Sequence, residues 1–422
     1  MGDRSNDPCP NAPSPRPKDG PEQTAACGLG NKAPRRFAIR SGASHRAAIT
    51  GVFFLNGAVF AAWYARLPAI QDELSLTPGQ VGIALLGAPV GLLLAQPATG
   101  LLVARRGSRP VVAAAPLSML AVALPAVAVD LPTLVAAVFV VGAANGALDI
   151  AMNTNGLAVE RCAGRPLFSS LHAAFSFGAL TGAAAAGAFA AVGVEPLAHL
   201  LAWAGVGAIA ALLLVPHLLT DEATERPAGG VRRRLRPSSR LLVLSTIAFC
   251  ALLAEGAVFD WSGIFLAREA GATEGVAALG LALFSLSMGV GRLGGDAMRV
   301  RVGAAVLARV GAAAAAVGLA LAVAVSTVPV ALAGFGLMGI GLSVVFPLTL
   351  RVAGRETAQQ LAAVSAIGYT GFLAGPPLIG LLAELGGLRG ALILAVAACV
   401  LAAALASALR EADYTPAPRP SA

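Results

Sequence analysis

Twelve apolar segments, each long enough to cross a lipid bilayer, constrain this chain more than any other feature of its sequence. A hydrocarbon core of ~30 Å takes about 20 residues of helix. Inside it every backbone N–H and C=O must find a partner within the segment, which an α-helix provides and an isolated strand does not. The segments fall at 47–68, 79–104, 111–129, 133–157, 168–192 and 197–219, then at 241–266, 276–295, 305–326, 329–350, 361–383 and 389–409. Charge agrees with this reading, since only 12% of the 422 residues are charged, against about 25% in a soluble domain. Water-soluble enzymes and disordered scaffolds are thereby excluded, and an all-α membrane protein in contact with the lipid bilayer is expected.

The polar stretches divide the chain. Residues 1–45 are rich in proline, glycine and charge and read as a disordered tail. A first six-helix half is expected over 46–219, a linker carrying Arg232-Arg233-Arg234 over 220–240, a second half over 241–410, and a short tail over 411–422. Of the 30 lysines and arginines, 27 lie in the two tails and the alternate loops on one side; Arg66, Arg268 and Arg389 lie on the other. Positive charge accumulates on the cytoplasmic side of membrane proteins, so both termini are expected there, in a multi-pass protein of the cell inner membrane. The net charge of +8 is thus a topology signal, and no nucleic-acid partner is implied.

The halves repeat one another. Asn56-Gly57-Ala58-Val59-Phe60 in the first span recurs as Glu255-Gly256-Ala257-Val258-Phe259 in the seventh, each soon followed by a tryptophan, Trp63 or Trp261. Gly178 and Gly182 in the fifth span match Gly371 and Gly375 in the eleventh. Two pseudo-symmetric six-helix bundles follow.

These features resemble the major facilitator superfamily of secondary transporters, over about residues 47–409. The loop from Gly100 through Arg105 and Gly107 to Arg109 resembles the superfamily's signature between its second and third helices. Ala104 stands where that signature has an acid, and Ser108 where it has a basic residue. Trp63-Tyr64-Ala65-Arg66-Leu67-Pro68, with Asp149-Ile150-Ala151-Met152-Asn153 and Ser169-Ser170-Leu171-His172, resembles a bacterial branch near the fucose-permease-like sugar carriers. The resemblance implies a proton-coupled carrier built on the twelve-helix facilitator fold.

Ionisable groups within spans are costly and usually face a cavity or a partner. Asn145, Asp149 and Asn153 occupy one stripe of the fourth helix, where they could line a cavity or simply bond neighbouring helices. Glu255 lies near the membrane midplane, where transporter sites form at the repeat interface. His172 could relay protons or hydrogen-bond Asn153. Asp149, Glu255 and His172 are therefore the candidates for proton coupling. Asn56, Asn145, Asn153 and Trp63 are those for substrate contact, although an aromatic near a helix end is more often an interfacial anchor. Arg66 and Asp260 are expected to pair across the halves as an outer gate.

No nucleotide loop, nucleophile triad or metal-ligand spacing is visible, so a non-enzymatic chain without cofactor or metal is expected. The leading expectation is proton-coupled uptake of a small polar solute, a sugar or related metabolite, by a monomer working through alternating access. Proton-driven export of a drug or metabolite is the alternative, and a non-transporting membrane sensor on the same fold is a third.

Overall fold

The computed structural model describes residues 35–164, 167–220, 238–356 and 358–410. Of the disordered tail expected over 1–45, residues 1–34 lie outside the described residues, as do the triple arginine of the linker and the tail from residue 411; the remainder, 35–45, is helical and continuous with the first span.

Among the described residues, ten helices long and apolar enough to span a membrane run as α1 Ser44–Glu73, α2 Pro78–Arg106, α3 Arg109–Val127, α4 Leu131–Ala163, α5 Phe168–Ala191, α6 Pro196–His217, α7 Ser239–Arg268, α8 Glu274–Val302, α9 Ala304–Val325 and α10 Val328–Arg355. A further continuous stretch, Gln359–Leu409, contains the last two spans. They part at Gly387, whose φ of 80° is not helical, giving α11 over 359–386 and α12 over 388–409. Local sequence explains the helix ends. Thr77 caps α2 by accepting from the Gln80 N–H, while the Gln80 side chain returns to the Thr77 N–H. Asp130 and Thr133 make the same reciprocal box at the start of α4. The third span is less regular than its sequence suggests: helix at Arg109–Val112 and Ala115–Ala121 passes into a 3-10 turn at Leu124–Val127.

The repeat is visible in the backbone itself. Left-handed positions at Ser75, Gly107 and Gly193 in the first half recur at Gly271, Gly303 and Gly387 in the second. Each member of a pair terminates the corresponding hairpin.

Within the first half α1 packs on α5 and α2 on α4; within the second α7 packs on α11 and α12, and α8 on α10. The halves meet along two seams, α5 against α8 and α2 against α11. Small residues permit the α1–α5 approach, since a Cβ built on Gly178 or Gly182 would lie 1.9 Å from the carbonyl oxygen of Phe54 or Ala58. Lipid supplies no hydrophobic drive between helices, so such close backbone packing carries their association.

Candidate functional site

A cavity of about 1030 Å³ lies between the halves. Its walls are α1, α2, α4 and α5 on one side and α7, α8, α10 and α11 on the other. It begins at Tyr64 and Asp260 and runs past the middle of the spans to Glu160, Asp296 and Arg351. Those last residues stand at the helix ends on the face where α1 begins and α12 ends (the terminal face), where Asp296 and Arg351 are 61% and 44% exposed. The cavity therefore opens on the terminal face.

The far face is sealed by contacts between the halves. Arg66 of α1 is buried and its Nε lies 3.1 Å from Oε1 of Glu274, the first residue of α8. Its Nη2 also donates to the Val194 carbonyl at 2.6 Å. Arg268 of α7 pairs with Asp72 of α1. The Gly79 N–H donates to Glu384 Oε2 at 2.8 Å, joining α2 to α11. Beneath these polar contacts Tyr64 and Phe259 meet edge to face, with ring centroids 5.5 Å apart and planes at 86°.

Of the residues singled out in the sequence, Asn56, Asn145, Asp149, Asn153, His172, Glu255 and Asp260 all line this cavity. On α4 the Asn153 amide donates to Asp149 Oδ1 at 2.9 Å and to the Asp149 carbonyl at 2.8 Å. Asn145 presents a buried Oδ1 with no hydrogen-bond partner among the described residues. The Asn56 amide reaches Met152 Sδ at 3.8 Å, linking α1 to α4. His172 does not bond Asn153; its ring packs edge-on against Phe53 and Phe168, at 5.3 and 4.8 Å.

Two expected relationships take another form, and one partnership was not expected. Arg66 and Asp260 are not paired: Arg66 turns to Glu274, whereas Asp260 faces the cavity. Trp63 is fully buried and outside the cavity wall; its neighbour Tyr64 takes the lining position, because adjacent helical residues point about 100° apart. Glu255 has a cationic partner that sequence reasoning missed. Arg292 of α8 lies 3.4 Å from Glu255 Oε1 and donates to Ser176 Oγ of α5 at 2.9 Å. It thus ties the second half's carboxylate to the first half across the α5–α8 seam.

The signature loop lies away from the cavity. Gly107 ends α2 with a φ of 78°, and its N–H reaches the Val103 carbonyl at 2.8 Å. Arg109 donates to Thr220 Oγ1 at 2.6 Å, and buried Asn155 of α4 donates to Ser108 Oγ at 2.9 Å. Arg105 is exposed. A Cβ on Gly100 would meet no atom within 4 Å, so this glycine answers no packing need. Among the described residues no cluster of His, Cys, Asp or Glu could hold a metal ion.

Two six-helix halves enclosing a largely apolar cavity that carries a few carboxylates and amides at midspan, sealed at one face and open at the other, define a multi-pass membrane transporter for a small-molecule substrate. The sequence profile of the Major Facilitator Superfamily matches residues 49–359, and the chain belongs to that superfamily. Over 371 residues it is 34% identical to an uncharacterized transporter, y4wD, of Sinorhizobium fredii (strain NBRC 101917 / NGR234), covering 85% of this chain and 96% of that one. It is 33% identical to an uncharacterized MFS-type transporter of Yersinia pestis, over 83% of this chain and 92% of that one. Membrane protein MosC of Rhizobium meliloti is 31% identical, with 84% and 88% covered. Among solved structures, a mutant of the nucleoside transporter NupG superposes with a TM-score of 0.68 at 13% identity, over 86% of this chain and 98% of that one. A bacterial homologue of the human lysosomal transporter Spinster, in an inward-facing and occupied conformation, gives 0.64 at 16%, over 90% and 97%.

Proposed function

We propose that the protein is a proton-coupled symporter for a small polar solute, a sugar or related metabolite, working as a monomer in the cell inner membrane with both termini cytoplasmic. One observation carries this reading: carboxylates from opposite halves, Asp149 of α4 and Glu255 of α7, share one cavity that is open on a single face. With the termini inside, that face is the cytoplasmic one, and the arrangement is the inward-open state of an alternating-access cycle.

Each carboxylate has a role in such a cycle. When Glu255 is ionised, Arg292 holds it against the α5–α8 seam. Protonation removes the charge that retains Arg292, loosening a contact that the rocking of the halves must rearrange. Asp149 is steadied by one amide and no cation, so its proton is exchanged where the solute binds. His172, on the same wall, completes the set of groups that pass the proton towards the open face. Asn56, Asn145 and Asn153 line the cavity and supply amide groups to hydroxyl groups of the solute.

The test is a thermal-shift screen of purified protein against a metabolite library at acid and neutral pH, followed by proton flux in proteoliposomes. A stabilising solute whose effect depends on pH, and whose addition drives protons in the same direction as itself, is the expected result. Binding with no pH linkage would remove proton coupling. Flux of solute against the proton would make the protein an exporter by antiport.

A further inference from the structure

Among the described residues five carboxylates line the cavity, and four of them have partners. Glu255 has Arg292, Asp296 has Arg351, and Asp149 has the Asn153 amide. Glu160 accepts from the N–H groups of Leu167 and Phe168 at 2.6 and 2.7 Å. The fifth, Asp260, has no hydrogen-bond or ion-pair partner among the described residues, although only 7% of it is exposed. It lies at the sealed end of the cavity, whose wall also includes Phe60, Tyr64 and Phe259. Tyr64 stands at their centre, with the Phe60 ring at 5.3 Å and 67° and the Phe259 ring at 5.5 Å and 86°.

A carboxylate taken out of water without a partner is costly, and it takes up a proton or a cation. The aromatic neighbours decide which cation could displace that proton. An inorganic cation would want several oxygen ligands, and this end of the cavity offers one carboxylate and one phenol. A neutral hydroxyl solute gains little from an isolated carboxylate among rings. An organic ammonium satisfies both features, pairing with the carboxylate while its N–CH groups lie against the negative ring faces.

We infer that Asp260, with Phe60, Tyr64 and Phe259, forms the subsite for a positively charged amino group on the transported solute. The amino group enters first and lodges at the sealed end, and the remainder of the solute faces the amides of Asn56 and Asn145. The Arg292–Glu255 and Asp296–Arg351 pairs contribute no net charge, so an ammonium at Asp260 also lowers the negative charge of the cavity. This inference rests on the transport reading above and narrows its substrate class.

The test uses the purified full chain and matched pairs that differ in one group: glucosamine against glucose, ethanolamine against ethylene glycol, and benzylamine against benzyl alcohol. Binding is measured by calorimetry. In at least one pair the amine is expected to bind about tenfold more tightly or better, about 1.4 kcal/mol. Asp260→Asn should bring that preference close to unity, and Tyr64→Leu should weaken the amine about two- to tenfold. Should Asp260→Asn fail to fold, the Tyr64→Leu result decides. Amines that bind no better than their neutral partners overturn the subsite, as does a preference that survives both substitutions. If neutral solutes still bind in a proton-linked manner, the symporter reading stands while the subsite falls. If no solute in either screen binds, both fall.

Discussion

Arg66 of α1 and Glu274 of α8 meet at 3.1 Å and join the two halves at the face opposite the termini. The arginine is buried and the carboxylate is about one-third exposed. Arg66 is also anchored within its own half by the Val194 carbonyl. Opening of this face must therefore separate Glu274 from an arginine that stays where it is.

Glu274→Gln should consequently shift the protein towards the state open on the far face. The partial exposure of Glu274 limits the coupling to about 1 kcal/mol, or roughly fivefold in the equilibrium. Spin labels on Glu73→Cys and Thr273→Cys, both exposed at that face, would report a longer distance in the variant. Exchanging the charges, Arg66→Glu with Glu274→Arg, should recover part of the closed population that either single change loses. A cycle with no coupling would show that the pair does not hold the face shut.

Spans and repeat were legible in the sequence because lipid imposes a length on every helix and duplication leaves matching residues. Helix phase was less legible. Trp63 and Tyr64 are neighbours in the chain, yet one is sealed in the packing and the other faces the cavity. Periodicity fixes a face only when polar residues mark it, as Asn145, Asp149 and Asn153 do on α4. Partnerships between helices were least legible. The sequence sets Arg66 against Asp260 across the halves, but the first turn of α8 brings Glu274 within 3.1 Å of it. Arg292 lies near the end of its apolar run and reads as a loop cation, whereas α8 continues to Val302 and places it inside the protein.

Two glycines of the sequence reading should respond oppositely to a methyl group or larger. At Gly182 a Cβ would sit 1.9 Å from the Ala58 carbonyl oxygen, with backbone rather than a flexible side chain in the way. Gly182→Val should separate α1 from α5 and cost about 1–3 kcal/mol or more. Gly100→Ala meets open space and, on a helix, should be neutral or stabilising by up to about 1 kcal/mol. Monodisperse yield and melting temperature in detergent distinguish the two; an unaffected Gly182→Val would refute the close-packing account.

Asp130 gives a pH-dependent end to α4. Its carboxylate accepts from the Thr133 N–H at 2.9 Å and from the Thr133 hydroxyl at 2.5 Å. The hydroxyl first, then the backbone bond, hold its pKa below the ordinary carboxylate value, against a small opposing effect of burial. A depressed folded-state pKa means that the stabilisation is complete above the unfolded value and is lost as pH falls through the folded one. Asp130→Asn keeps an acceptor for the cap but removes the titration. Its melting temperature relative to the parent should therefore rise as the pH is lowered through the carboxylate range; a constant difference would exclude the linkage.

Arg292 offers the sharpest separation of charge from structure. Its guanidinium and the Glu255 carboxylate are each about one-sixth exposed, so removing one leaves the other largely unsolvated and unpaired. Breaking a buried pair costs about 3–5 kcal/mol, and removing both members is often nearly neutral. The opening of the cavity to water places the expected cost at or below the lower end of that range. Arg292→Gln should thus lower the melting temperature clearly, and Glu255→Gln in the same chain should restore most of it. Transport should not follow stability. The double variant retains a folded cavity but lacks one of the two carboxylates assigned to proton coupling, so solute binding should persist with its pH dependence reduced and proton flux lowered. Undiminished proton-linked flux in the double variant would remove Glu255 from the coupling path and leave Asp149 as the proton site.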